Sequence, residues 1–193
     1  MTYSVSGFNT ANPRYCALAG GGAVVATVST ARSPAPMDGT ISKIYVKTNP
    51  ALTAGSYTIE LMVNGAAAAS FSAVVISGSS TANSGLQTAS ISAGDLLEWR
   101  ITPASTPDAL TGLAISAVFE SNVARSAPLF AAHGSGTGAY FIPPSASSLI
   151  TGEGFGTGTM AVAGDITHMR VQLTAAPGAG VTRTYTLRKN GAD

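Results

Sequence analysis

Few residues in this chain are equipped for chemistry, and none stands at a spacing that chemistry requires. His133 and His168 are its two histidines. Neither is paired with another His, a Cys or a carboxylate at metal-ligand spacing. His168 falls in a run that reads as a strand, at the place Lys43 takes in an earlier copy of the same pattern. An outward polar strand position accounts for both. His133 lies among glycines, where a solvated loop is the expected setting. Cys16 is the single cysteine, so no intrachain disulfide can form. Its apolar neighbours, Tyr15 to Leu18, point to burial as a small hydrophobe.

Asp38, Asp95 and Asp165 sit beside glycines just before strand-like runs, which is where turns begin. No pair of acids is placed for a glycosidase cleft. No Gly-x-Ser-x-Gly elbow accompanies the many serines. Gly152-Glu-Gly-Phe-Gly-Thr-Gly158 lacks the Gly-Lys-Ser/Thr end and the following helix of a phosphate loop, so it reads as a turn between strands. No Asp-rich calcium loop occurs. We therefore nominate no catalytic, cofactor-binding or metal-binding residue, and read the chain as a non-enzyme that needs no cofactor. Two aromatics remain. Trp99 alternates inward with Leu97 and Ile101 and belongs to a core. Tyr45 alternates against Ile44 and Val46 and points outward, where it can serve a protein interface or a glycan.

The elements that would position these residues are almost all β. Val, Ile and Thr runs alternate with Gly, Pro, Ser and Asn clusters. No helix-length window keeps a 3.6-residue apolar stripe, and the Ala66–Ala69 stretch is too short to stand alone as a helix. Asn64-Gly65 marks a hairpin, because Asn-Gly tolerates the positive φ of a type I′ turn. Before it Ile59, Leu61 and Val63 share one face; after it Phe71, Ala73 and Val75 do. Gly94-Asp95 turns into a strand from Leu96 to Ile101, with Leu96, Glu98 and Arg100 outward. Leu113, Ile115, Ala117 and Phe119 share a face of a further strand. Ile41 to Thr48 and Ala23 to Ser29 also read as strands. Seven or eight strands between Tyr15 and Glu120 suit an antiparallel β-sandwich, jelly-roll or Ig-like.

The C-terminal part repeats this pattern. Tyr15, Gly39, Ile41, Val46, Ala51, Ala54 and Gly55 recur as Tyr140, Gly164, Ile166, Val171, Ala176, Ala179 and Gly180, at a constant offset of 125. After one inserted residue, Thr58, Leu61, Asn64, Gly65 and Ala66 recur as Thr184, Leu187, Asn190, Gly191 and Ala192. The organisation expected is a complete sandwich module over 1–120, a Gly/Pro-containing junction over 121–138 and a partial copy over 139–193. Leu129-Phe130 in the junction can pack on either module. The copy's strands are Tyr140–Ile142, Leu149-Ile150, Thr159–Val162, Ile166–Leu173 and Thr182–Leu187. Nothing in it matches Phe71–Ile76, Leu96–Ile101 or Leu113–Phe119. Such a half module leaves edges open, and open edges recruit strands. Neighbouring subunits can complete it, module one or the segment Met1 to Asn12 can cover it, or further chain can follow.

Composition narrows the partners. Hydrophobic residues form 45% of the 193 residues and charged ones only 10%. A sizeable core is available, and the surface must be mostly uncharged, which suits packing into assemblies. A net charge of +1 gives no case for nucleic acid or for an anionic membrane. Arg188-Lys189 flanks a turn and reads as a solvated edge. Met1 to Val5 has no signal-peptide character, and the run Ala23–Val28 is too short to span a bilayer.

The block Gly55-Ser-Tyr-Thr-Ile-Glu-Leu-Met-Val-Asn-Gly65, a Ser/Thr/Gly stretch, and then Ile91-Ser-Ala-Gly-Asp-Leu-Leu-Glu-Trp-Arg-Ile101 resembles modules of tailed-phage virion proteins. It is also similar to trimeric jelly rolls of the TNF/C1q type. The resemblance spans Tyr15 to Phe119 and half of it again from Tyr140. It implies a capsid decoration (cement) protein, a head fibre or a tail appendage, located in the virion after assembly in a host cytoplasm. The partners implied are further copies of the chain, with a trimer as the first guess, and a major capsid or other virion protein. The alternative expectation is a carbohydrate-binding or adhesin module that uses Tyr45 or Trp99.

Overall fold

The computed structural model describes residues 2–5, 11–18, 20–21, 25–26, 32–122, 166, 169, 171, 173 and 176–187. Within them are eleven strands and no helix. These are β1 (Thr2–Val5), β2 (Arg14–Cys16), β3 (Gly20–Gly21), β4 (Ser33–Pro34), β5 (Gly39–Asn49), β6 (Ser56–Val63), β7 (Ala66–Ile76), β8 (Thr81–Asn83), β9 (Thr88–Ile91), β10 (Leu96–Ala104) and β11 (Gly112–Ser121). They form two packed sheets, so the chain is an all-β sandwich.

Sheet A runs β3-β1-β11-β5, with β8 and β9 in succession along the far edge of β5. Sheet B runs β2-β10-β6-β7, with β4 beside β2 along β10. Every pairing is antiparallel except β1 with β3. Pro103 is tolerated in β10 because β2 reaches only Trp99–Ile101, which leaves β6 as the partner strand at that position.

The alternation in the sequence becomes the core. Tyr57, Ile59, Leu61, Phe71, Ala73, Val75, Leu97, Trp99 and Ile101 project from sheet B against Ile41, Ile44, Val46, Leu113, Ile115 and Ala117 of sheet A. Cys16 is buried among them. Ala66–Ala69 continues β7 directly out of the Asn64-Gly65 turn. Phe119 is only partly buried; its ring lies over Gly39, where an added Cβ would meet ring carbon Cζ at 2.5 Å.

Two irregularities shape the surface. In β5, Lys43 and Ile44 together face the single residue Ala117 of β11, a bulge in which Lys43 takes φ 55°. In β7, the ladder slips between Ser72 and Ala67, where Ser70 has φ 57°. The N-terminal residues Thr2–Val5 join sheet A beside β11, so this part of Met1–Asn12 completes the first module. Of Ala23–Ser29, the described residues are Val25 and Ala26; Val25 exchanges two 2.9 Å backbone hydrogen bonds with Tyr15.

The junction and the segments Tyr140–Ile142, Leu149-Ile150 and Thr159–Val162 lie outside the described residues. Ile166, Met169, Val171 and Leu173, expected in a strand, lie outside the strands, as do residues 181–187. In the first module, β2, β5 and β6 do not pair with one another; their ladders run to β7, β8, β9, β10 and β11. One local feature does recur: Gly55 has φ +62° and its counterpart Gly180 has φ +75°.

Candidate functional site

Three features of the sandwich stand apart from plain core and turn. The first is the outer face of sheet A. Two residue rows cross it in register: Asn83, Tyr45 and Ser116, and then Thr81, Lys47 and Ala114. Ala114 and Ser116 are small, so the face dips beside Tyr45. The depression holds about 390 Å³. Tyr45 is 54% exposed, as its alternation requires. Lys43 and Lys47, two residues to either side of it on β5, are exposed as well. Neither lysine has an ion-pair partner among the described residues.

The second feature is a buried carboxylate. Glu98 projects from the central strand of sheet B, away from the sandwich core, yet is 0% exposed. Arg32 Nε lies 3.5 Å from its Oε1, while Oε2 has no hydrogen-bond partner among the described residues. Met62, its neighbour across the ladder, is buried too. Burial pushes the Glu98 carboxyl up, and the charge and hydrogen bond of Arg32 pull it partly back. Alternation alone places Glu98 and Met62 on a wet face. The guanidinium brought in by the residue before β4 is a non-local contact that no spacing announces. One ladder step along, Arg100 Nη2 and Glu60 Oε2 form a partly exposed 2.8 Å pair.

The third feature is the edge of sheet B formed by β7. Ser72 N–H leaves the ladder to meet Gln87 Oε1 at 3.0 Å. The same alternation turns the N–H and C=O of Val74 away from β6. Val74 and Ile76 are 45% and 59% exposed on the outer face. The remaining sheet edges are short: β3 and β4 have two residues, β2 and β8 three and β9 four. At eleven residues, β7 is the long open edge among the described residues.

The acids expected in turns serve there. Asp38 Oδ1 accepts from Ala93 N–H at 2.7 Å, and Asp95 Oδ2 accepts from Ser92 N–H at 2.7 Å. Asp108, which the sequence did not single out, accepts from Thr53 N–H, from Thr53 Oγ1 at 2.8 Å and from Ala54 N–H at 3.1 Å. Those bonds hold its carboxyl below the usual carboxylate range. Trp99 is wholly buried, with Nε1 directed at Leu18 O at 3.4 Å, so it offers no face to a sugar. His133, His168, Asp165 and Gly152–Gly158 lie outside the described residues. Among the described residues, no three His, Cys, Asp or Glu side chains gather as metal ligands. The sequence matches no protein-family model and no curated protein.

Proposed function

We propose that this chain is a structural, interface-forming protein of a virion, a capsid decoration (cement) protein that joins with its own copies and with a shell protein. The observation that carries the assembly part is the β7 edge. An eleven-residue outer strand bearing exposed Val74 and Ile76 is a surface that a further strand or sheet can cover. Natural monomers protect such edges with charge, proline or brevity, and β7 contains neither a charged residue nor a proline. The mostly uncharged composition agrees with burial against neighbours through many weak contacts. The virion setting rests on the resemblance carried by Gly55–Gly65 and Ile91–Ile101.

Light scattering of the full chain across a dilution series tests the assembly reading. The expected result is a trimer or larger species that dissociates when Val74→Lys and Ile76→Lys place charge on the edge. A folded monomer at every concentration, or an oligomer indifferent to both substitutions, counts against it. Co-sedimentation with particles lacking decoration then tests the virion setting.

A further inference from the structure

We infer that the Lys43–Tyr45–Lys47 face of sheet A binds an acidic oligosaccharide, a function separate from assembly through β7. Three observations meet here. A tyrosine stands 54% exposed beside a depression of about 390 Å³. The polar groups around it, Asn83 and Thr81 of β8 and Ser116 of β11, are uncharged donors and acceptors in register with Tyr45 and Lys47 of the β5 strand between them. Lys47 lines the depression and Lys43, in the bulge two residues before Tyr45, is exposed as well; no carboxylate lines the depression among the described residues. The acid on this face of β11 is Glu120, four residues along that strand from Ser116, the ladder partner of Tyr45, and so roughly 14 Å away.

Each part matches one part of such a ligand. A tyrosine ring offers its face to the C–H side of a pyranose while its hydroxyl stays wet. Amide and hydroxyl groups match sugar hydroxyls. Two lysines without acidic partners favour a carboxylated sugar over a neutral one, because each ammonium is a point charge seeking an anion. The β5 bulge belongs to the same site. Lys43 holds φ 55°, a region that costs a non-glycine residue about 1 kcal/mol or more, and it does so at an exposed strand position. A single-stranded nucleic acid would also meet an aromatic and cations, but it needs a basic track along its phosphates. Two lysines on a chain of net charge +1 do not supply one.

Isothermal titration of the full-length chain with tetragalacturonate tests this. The expected result is saturable binding that weakens about tenfold or more in Tyr45→Ala, a loss typical of one stacked ring. Lys43→Met and Lys47→Met each weaken it several-fold, and raising salt from about 50 to 500 mM does the same. Cellotetraose, the neutral control, binds at least about tenfold more weakly. All three side chains are exposed, and unchanged melting of the variants establishes that they fold. Absence of binding by the unaltered chain overturns the proposal. So does equal binding of cellotetraose, indifference to Tyr45→Ala, or tighter binding of an eight-residue oligothymidylate. Oligomeric state is not a readout here, so failure leaves the β7 reading separately testable.

Discussion

Asn64 and Asp95 lock two turns together. The Asn64 amide donates to Asp95 Oδ1 at 2.7 Å, and Asn64 Oδ1 accepts from Leu96 N–H at 2.9 Å. Asn64 N–H donates in turn to Leu96 O at 2.8 Å. The hairpin turn between β6 and β7 is thereby fastened to the start of β10. Asn64 also holds φ 53°. Asn64→Gly keeps the backbone and loses both side-chain bonds, one of them to a charged group. We expect a cost of about 2–3 kcal/mol by urea denaturation. Asn64→Ala adds about 1 kcal/mol of left-handed strain. Equal stability of Asn64→Gly and the unaltered chain would refute the lock.

Glu98 makes stability depend on pH in the less usual direction. Its carboxyl is raised above the ordinary value of 4.5, burial being the larger cause. The folded protein therefore binds this proton more tightly than the unfolded chain. The stability it contributes is complete below the unfolded value and is lost as pH rises through the folded value. Glu98→Gln removes that loss, so its melting temperature relative to the unaltered chain should climb from about pH 4 to pH 8. Arg32→Ala should destabilise by about 1–3 kcal/mol at neutral pH and by less in acid, where Glu98 is protonated. A pH-independent difference for both variants would show that Glu98 does not titrate this way.

Asp108 acts with the opposite sign. Hydrogen bonds from Thr53 and Ala54 hold its carboxyl below the ordinary 3.8. The folded state prefers the ionised form, so its contribution is present above the unfolded value and disappears as pH falls through the folded one. Asp108→Ala should be less stable than the unaltered chain at neutral pH. The two melting curves should converge as pH falls through the folded value. Persistence of the gap in strong acid would assign the effect to the loop and not to the charge.

Gly55 and Gly78 separate backbone strain from crowding. Both have positive φ, +62° and +82°. A Cβ at Gly55 would sit 2.5 Å from Pro107 Cα and 2.8 Å from Ala104 O, whereas one at Gly78 meets nothing within 4 Å. Gly78→Ala should cost about 1 kcal/mol, strain alone. Gly55→Ala should cost about 3 kcal/mol or more, since backbone must also move. Chemical denaturation of the pair decides; similar costs would mean that the β10–β11 loop yields readily around Gly55.

Much of the sandwich was legible because a half-buried strand records its inner face in every second residue. Phe71, Ala73 and Val75, or Leu97, Trp99 and Ile101, could be assigned by alternation, and Tyr45 was outward for the same reason. Short strands were not legible. Thr2–Val5, Gly20–Gly21 and Ser33–Pro34 have too few residues to show a period, and only partner strands distant in sequence define them. The depression beside Tyr45 needs Ala114 and Ser116 delivered by a strand some 70 residues away (116 − 45 = 71).

By itself, the sequence determined the fold class, the inner faces of the long strands, the two Asn-Gly and Gly-Asp turns and the repeat. Each is a local consequence of side-chain period or of backbone freedom at one residue. Tertiary structure alone decided which strands are neighbours. It thereby decided that Glu98 is buried against Arg32, that β7 is left as the long open edge among the described residues, and that Tyr45 and Lys47 share a face with Asn83 and Ser116. Those outcomes depend on contacts between residues far apart in the chain, and no local pattern encodes a partner.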